Sequence, residues 1–291
     1  MITSWQRLPV TVRAVISGGV MAAAGTLPWA LLASANARYV ASVPWAVPVT
    51  VLYLWFFWRY ARGEGWPAAT AAARRTSHRA NRLSDDVWGA ALFAGMLGLI
   101  TVVLFQLVMN RLVRLPAQPV DDLAGIPRLT LLFLLIMSAV VSGVVEETSF
   151  RGYMQGPIER RHGPVIAILV TGLSFGFAHF THPEVTLILM PYYLVVAAVY
   201  GIITHLTNSI FPAMVLHAGG NLLTSFDLLA RGQAEWQASS TPTPLIWETG
   251  ADASFLLSLL ALLFASAASL WAFKGLAQLA GQDLKAVETS G

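Results

Sequence analysis

Three short motifs place ionisable or polar side chains inside otherwise apolar stretches of the 291-residue chain. In chain order they are Glu146-Glu147-x-x-x-Arg151, Phe175-x-x-x-His179 and His217-x-x-x-Asn221. A carboxylate and an imidazole that reach the same water can activate it as a nucleophile. A second imidazole, together with an amide, supplies donors to a developing oxyanion. The motifs therefore predict a hydrolytic site, and amide bonds suit it because their tetrahedral intermediate needs both parts.

The first motif assigns different environments to its two acids. Glu147 and Arg151 stand at i and i+4 of a predicted helix, on one face and with the acid first, which is the better order for an ion pair. Glu146 is rotated by about 100° from Glu147 and cannot share that arginine equally well. The spacing predicts that Arg151 neutralises Glu147 and that Glu146 is left for chemistry. The alternative is an interfacial helix end whose acids have no chemical role.

The two histidine motifs also have a structural alternative, because intramembrane His and Asn side chains often serve only as hydrogen-bonding groups between helices. Convergence of all the polar side chains in one cavity is the more economical explanation. A serine hydrolase is disfavoured because G-x-S-x-G is absent, and H-E-x-x-H is absent as well. A zinc site stays open, since Glu146, His179 and His217 could supply two imidazoles and one carboxylate.

The composition is typical of an integral membrane protein. Charged residues make up 11% of the chain, where a globular domain carries about 25%, and apolar types make up 56%. This balance excludes a soluble domain, a disordered chain and a nucleic-acid-binding protein. The absence of Cys excludes thiol catalysis, Cys-ligated zinc and disulfides.

Apolar runs near the roughly 20 residues that cross a bilayer as a helix predict eight spans, which makes the fold an all-α, polytopic membrane helix bundle. The runs are 10–33, 43–58, 87–110, 129–154, 164–180, 185–205, 210–229 and 253–276. The linker 59–86 contains six arginines, at positions 59, 62, 74, 75, 79 and 82. The positive-inside rule places this linker, and with it both termini, in the cytoplasm. The linker is interpreted as a solvated topology signal; binding to anionic lipid head groups is the alternative.

At the three motifs the sequence resembles the family of CAAX proteases and bacteriocin-processing enzymes, also called the Abi or type II CAAX prenyl endopeptidase family. The motifs match that family's E-E-x-x-x-R, F-x-x-x-H and H-x-x-x-N signatures, in the same order. The resemblance implies a helical intramembrane protease that cuts a membrane protein or lipidated peptide. It divides the chain into N-terminal spans at 1–128, a catalytic helical core at 129–229, and a loop, last span and polar tail at 230–291.

The resemblance also implies roles for the residues. Glu146 would be the water-activating base, assisted by His179, and Phe175 would line the cavity. Arg151 would hold Glu147, while His217 and Asn221 would form the oxyanion side. Members of the family have been described both as metalloproteases and as glutamate proteases. We expect no metal here, because Asn221 stands where a third strong ligand would help, and we expect a multi-pass location in a bacterial cell membrane.

Helix lengths add one condition. At about 1.5 Å per residue, Glu146 falls close to the cytoplasmic face, whereas His179 lies roughly 22 Å from it. The two meet only if the fourth helix continues past Arg151 toward Gly156 and Pro157. We therefore expect a funnel open to the cytoplasm, with Gly152 and Tyr153 on a water path. Two other functions use the same polar groups: a non-proteolytic carrier or immunity protein, and a transpeptidase that passes the acyl group to an amine.

Overall fold

A computed structural model describes residues 4–114, 125–179, 183–231 and 243–290, and these form helices without any strand. The α-helices are α1 (Ser4–Arg7), α2 (Val10–Tyr39), α3 (Ala46–Ala61), α4 (Ala71–His78), α5 (Asp85–Leu112), α6 (Arg128–Val141), α7 (Gly156–His162), α8 (Pro164–Ala178), α9 (Pro183–Thr207), α10 (Phe211–Arg231), α11 (Ile246–Thr249) and α12 (Ala253–Ser290). A 3-10 turn covers Ala68–Thr70, and a π-helical segment covers Ser142–Gln155.

The predicted class, a polytopic helical membrane protein, is confirmed. Five described helices have the length and apolar composition needed to cross a bilayer, namely Val10–Tyr39, Asp85–Leu112, Arg128–His162, Leu187–Thr207 and Ala253–Gln282. The other three predicted spans are present as α3, α8 and α10 but fall outside that group. Helices α3 and α8 have 16 and 15 residues, and α10 contains a polar stretch around His217. Sidedness stays a prediction.

The chain divides into two compact units. Unit 1 comprises Met1–Ala80, Asp121–Thr171 and Ala213–Phe226, and unit 2 comprises Asn81–Val120, Gly172–Pro212 and Asp227–Gly291. The first and third motifs lie in unit 1, whereas Phe175 and His179 lie in unit 2.

The core of unit 1 forms where α2 and α3 pack against α6 and the π segment. Its buried apolar side chains include Met21, Trp29, Leu54, Leu134 and Val145. Helix α2 approaches closely at Gly25, where an added Cβ would collide with a methyl carbon of Val145. Small residues at such a crossing let two membrane helices come near enough for dispersion contacts between them.

Helix α6, the π segment and α7 form one uninterrupted helical run, Arg128–His162. The prediction that the fourth helix continues past Arg151 toward Gly156 and Pro157 is confirmed. Pro157 lies within this run, just after the junction of the π segment and α7, where it supplies no N–H to the helical hydrogen bonds. The expectation that Gly152 and Tyr153 face a water path is wrong, because both are buried and Tyr153 donates its hydroxyl hydrogen to the Ala61 carbonyl.

The linker is folded where it belongs to unit 1, so its interpretation as a purely solvated segment is wrong. Arg74 and Arg79 are only 3% and 7% exposed. Arg74 donates to three backbone carbonyls, those of Tyr60, Gly65 and Pro67. Arg59, Arg62 and Arg75 do stay exposed, as a topology signal requires.

Unit 2 is built on α5, α9 and α12. The hydroxyls of Thr101 and Ser269 form a hydrogen bond between α5 and α12. At the end of α5, the buried Arg111 guanidinium binds both carboxylate oxygens of Asp252 at 3.0 and 3.1 Å. This ion pair fixes the start of α12 against the end of α5.

Candidate active site

The π segment determines how the two glutamates are presented. Residues 142–155 are π-helical over 14 residues, whereas most π-helices are single turns and are frequent at functional sites. A hydrogen-bond step of five residues widens the helix to about 4.4 residues per turn, so neighbours differ by about 80° instead of 100°. Glu146 and Glu147 therefore point closer to one direction than an α-helix would allow.

Glu147 is a fully buried acid that contacts both Arg151 and His217. Its Oε1 accepts a 2.7 Å hydrogen bond from Nδ1 of His217. Nη1 of Arg151, itself 1% exposed, lies 3.3 Å from the same oxygen. The ion pair predicted from the i and i+4 spacing is therefore present. His217 is a second partner of Glu147 that the spacing did not reveal.

Glu146 faces the same imidazole from its other side. Its Oε2 lies 3.9 Å from Nε2 of His217, and its side chain is 15% exposed. Among the described residues, this oxygen has no hydrogen-bond partner. A separation of 3.9 Å exceeds a direct hydrogen bond. His217 thus lies between the two acids. It is hydrogen-bonded to Glu147 and only near Glu146.

Helix α10 brings His217 to the glutamates through a close approach at Gly143. A Cβ added to Gly143 would stand 2.8 Å from the Met214 carbonyl oxygen and 3.0 Å from the Ala218 Cβ. Any larger residue would force α10 away from the π segment. Asn221 follows His217 by one helical turn and is half-buried.

His179 directly follows α8 in unit 2, where two aromatic residues fix its ring. Its Nδ1 lies 2.8 Å from the Phe175 carbonyl oxygen, so this nitrogen must carry the hydrogen and donate it. In the neutral ring, Nε2 is then the basic nitrogen. The ring stacks on Tyr193, with centroids 4.8 Å apart and planes 23° from parallel, and Phe175 packs 4.7 Å away.

Residues 128–223 match the family model described as type II CAAX prenyl endopeptidase Rce1-like. The match covers about a third of the chain, and over this segment the chain is similar to that family. All three motifs lie inside the matched segment. No curated protein and no solved structure matches the chain. The family supports a CAAX-type protease, while the roles of individual residues stay predictions.

Two residues that contact the predicted site residues were not predicted from the sequence: Tyr193, which stacks on His179, and Gly143, which contacts α10. Tyr193 carries no signal, since it lies in an aromatic-rich apolar run that reads as ordinary packing. Gly143 stands just before the first motif, but a single glycine in an apolar helix does not indicate what it contacts. Ser149 donates to the Val145 carbonyl and is fully buried, in agreement with the absence of a serine-hydrolase motif.

The zinc alternative can be compared with the donors in place. Within the ranges that the structure describes, no three His, Asp or Glu side chains are grouped so that they could hold a metal ion. In unit 1, the Nδ1 of His217 is committed to Glu147. The Nε2 of His217 is the nitrogen left for a metal, since a metal-bound imidazole commonly donates its other N–H to a carboxylate, so zinc stays an alternative.

Proposed function

We propose that the protein is an intramembrane endopeptidase that hydrolyses a peptide bond by glutamate- and histidine-activated water. The observation that carries this proposal is the position of Glu146. In the matched segment, its carboxylate oxygen without a hydrogen-bond partner lies 3.9 Å from an imidazole that is already oriented by a buried carboxylate. A carboxylate so placed is suited to general-base catalysis.

In this mechanism, a water molecule placed near Glu146 gives a proton to the carboxylate and attacks the substrate carbonyl carbon. The carbonyl oxygen takes the negative charge. The C–N bond then breaks, and the protonated Glu146 returns the proton to the leaving amine nitrogen. Atoms and charge balance with one water consumed. The partial exposure of Glu146, against the complete burial of Glu147, supports the choice of Glu146 as the base.

His217 and Asn221 are proposed as the oxyanion donors. Glu147 accepts the Nδ1 hydrogen of His217 and so fixes the orientation of the ring. With its second nitrogen protonated, His217 donates Nε2–H to the developing oxyanion, and the Asn221 amide adds a further donor. Preorganised donors of this kind are each worth about 3 kcal/mol of transition-state stabilisation. For His179 and Phe175, the proposed assistance to the base and the lining role rest on the family signature alone.

The proposed reaction requires no metal, and zinc held by Glu146, His179 and His217 is the competing proposal. A chelator series decides between them. Dialysis against 1,10-phenanthroline should leave the rate unchanged under our proposal. Loss of activity that returns with added Zn²⁺ would favour the metalloprotease.

The proposed substrate is a membrane protein or lipidated peptide, cut where its chain enters the bilayer, in a bacterial cell membrane. The prenylated C-terminus in the name of the family is one such substrate. The support is the location of the motifs in apolar helices, which restricts access to chains that are already associated with lipid.

Comparison of protein termini tests the function. Cells carrying the wild-type chain, Glu146→Ala, or Glu64→Ala as a control for an exposed acid are compared by mass spectrometry of membrane-protein termini. We expect one or more termini to be present with the wild type and Glu64→Ala and to be lost with Glu146→Ala. Identical termini in all three strains would exclude the protease and favour the carrier or immunity protein. A terminus joined to an amine would indicate transpeptidation.

A further inference from the structure

The last part of the linker lies directly on the end of the π segment. A Cβ added to Gly152 would meet the Ser77 carbonyl oxygen at 2.8 Å and that of His78 at 3.2 Å. One residue further, Tyr153 donates its hydroxyl hydrogen to the Ala61 carbonyl at 2.8 Å. At Gly152 the linker and the π segment therefore touch through their backbones. At Tyr153 a side-chain hydrogen bond adds to this contact.

An ion pair closes this contact at its far end. Nη1 of Arg79 lies 3.0 Å from Oε2 of Glu159, and the two side chains are 6% and 16% exposed. Arg79 ends α4 in the left-handed region, at φ +52°, which is unfavourable for a residue with a Cβ. Such a conformation persists only where the surrounding structure holds it. The pairing with Glu159 supplies such a contact.

The linker is itself fixed in place. Arg74 donates to the carbonyls of Tyr60, Gly65 and Pro67, and its guanidinium lies 4.2 Å from the centre of the Tyr60 ring. This side chain ties together the two ends of the turn that leaves α3. The surface against Gly152 therefore belongs to a folded element of unit 1.

Along the chain, the contact at Gly152 lies next to the charged residues Glu146, Glu147 and Arg151. Arg151, which neutralises Glu147, is the residue before Gly152, and Glu147 orients His217. A shift of the π segment at Gly152 would change the Arg151–Glu147 distance first. We propose that Arg79 is a positioning residue that, by binding Glu159, holds the linker on Gly152 and keeps the π segment in the register that presents Glu146 and Glu147. This inference rests on the proposed function for its catalytic consequence but not for its structural part.

Substitutions at the ion pair test the inference in the full-length chain. Arg79→Asn removes the guanidinium while tolerating the left-handed backbone, Glu159→Gln removes the partner charge, and Arg79→Glu with Glu159→Arg restores the pair in reverse. Arg75→Asn, at an exposed arginine of the same helix, is the control. We expect kcat to fall about tenfold in both single variants with KM unchanged within about twofold, and to recover in the reversed pair, as coupled residues do.

Amide hydrogen exchange of residues 146–155 supplies a readout that is independent of activity. Exchange should accelerate in Arg79→Asn and Glu159→Gln, but not in Arg75→Asn or the reversed pair. Unchanged exchange together with unchanged kcat would overturn the proposal. Should a single variant fail to fold, failure of the reversed pair to restore folding and rate would overturn it as well. Accelerated exchange in a protein whose wild type cleaves nothing would leave the positioning role standing and reject the protease.

Discussion

Glu147 and Arg151 are two charges almost completely removed from solvent. Removing an ion from water costs several kcal/mol, and in a buried pair this cost is offset only while both partners and their hydrogen bonds are in place. The loss of one partner should therefore lower the free energy of unfolding by more than the intact pair contributes to it. Glu146 is partly exposed, so its carboxylate loses less hydration than that of Glu147.

Glu147→Ala should destabilise the protein by about 3 kcal/mol, because it leaves the Arg151 guanidinium buried without its carboxylate. Glu146→Ala should change stability by about 1 kcal/mol or less. Thermal unfolding in detergent measures both. Glu147→Leu combined with Arg151→Met, which removes both charges, should recover most of the loss. Equal destabilisation by the two single substitutions would contradict this account.

His78 makes the folded linker sensitive to acid. Burial, together with the nearby Arg62 charge, lowers the pKa of His78 from 6.5 to about 4. The unfolded chain therefore binds a proton at a higher pH than the folded protein does. The stability that this group contributes is complete above about pH 6.5 and is lost as the pH falls toward 4, by up to about 3 kcal/mol.

His78→Phe should reduce that acid sensitivity, since the ring stays next to Trp58 but no longer titrates. The measurement is the unfolding midpoint of both proteins at pH 7.5, 5.5 and 4.5. The wild type should lose more stability than the variant over this series. Parallel loss in both proteins would assign the acid sensitivity to other groups.

At the scale of elements, the π segment and α10 meet through the missing side chain of Gly143. The Met214 carbonyl is backbone, so it cannot turn aside to admit a Cβ at 2.8 Å. Helix α10 must move instead, and the Glu147–His217 hydrogen bond moves with it.

Gly143→Ala should therefore lower proteolytic activity by about 10- to 100-fold, because displacements of about 1 Å at a catalytic group have effects of that size. Helix content by circular dichroism should be unchanged. Gly19→Ala is a matched control, as a Cβ added there meets nothing within 4 Å. Full activity of Gly143→Ala would indicate that the Glu147–His217 geometry does not limit the reaction.

At the scale of the whole molecule, the matched segment depends on packing against residues outside it. Residues 128–223 supply the motifs, but α2 and α3 cover the π segment in unit 1. The linker closes its end at Gly152. Part of the support for the glutamates therefore comes from the first 80 residues of the chain.

A fragment of residues 128–223 should accordingly fail to fold. Expressed in membranes and extracted in mild detergent, it should show no cooperative unfolding and no proteolysis, whereas the full chain treated in parallel should show both. An active, cooperatively folded fragment would contradict the supporting role of α2, α3 and the linker.

The membrane orientation of the chain gives one further prediction. The clusters of Arg and Lys predict that the linker and both termini lie in the cytoplasm. The pairing of Arg111 with Asp252 agrees with this alternation, because it puts the end of α5 and the start of α12 on one side. Topology reporters fused at Glu64 and at the C-terminus should both report the cytoplasm. An extracellular signal from either one would reverse the orientation.

The sequence alone determined the class of the molecule, and it indicated a resemblance to a family and a set of candidate residues. Hydropathy reports burial in lipid directly, and charged or polar residues stand out against apolar helices because each is costly there. The Glu147–Arg151 ion pair also followed from sequence, since contacts between i and i+4 depend only on local helix geometry.

Only the tertiary structure decided which of those residues contact one another. The link from His217 to both glutamates joins positions about 70 residues apart, and it depends on the widened π turn and on the approach at Gly143. The burial of Arg74 and Arg79 likewise reverses the solvated interpretation of the linker. Local pattern specifies what a residue can do, but which groups meet depends on long-range packing, and no spacing rule encodes long-range packing.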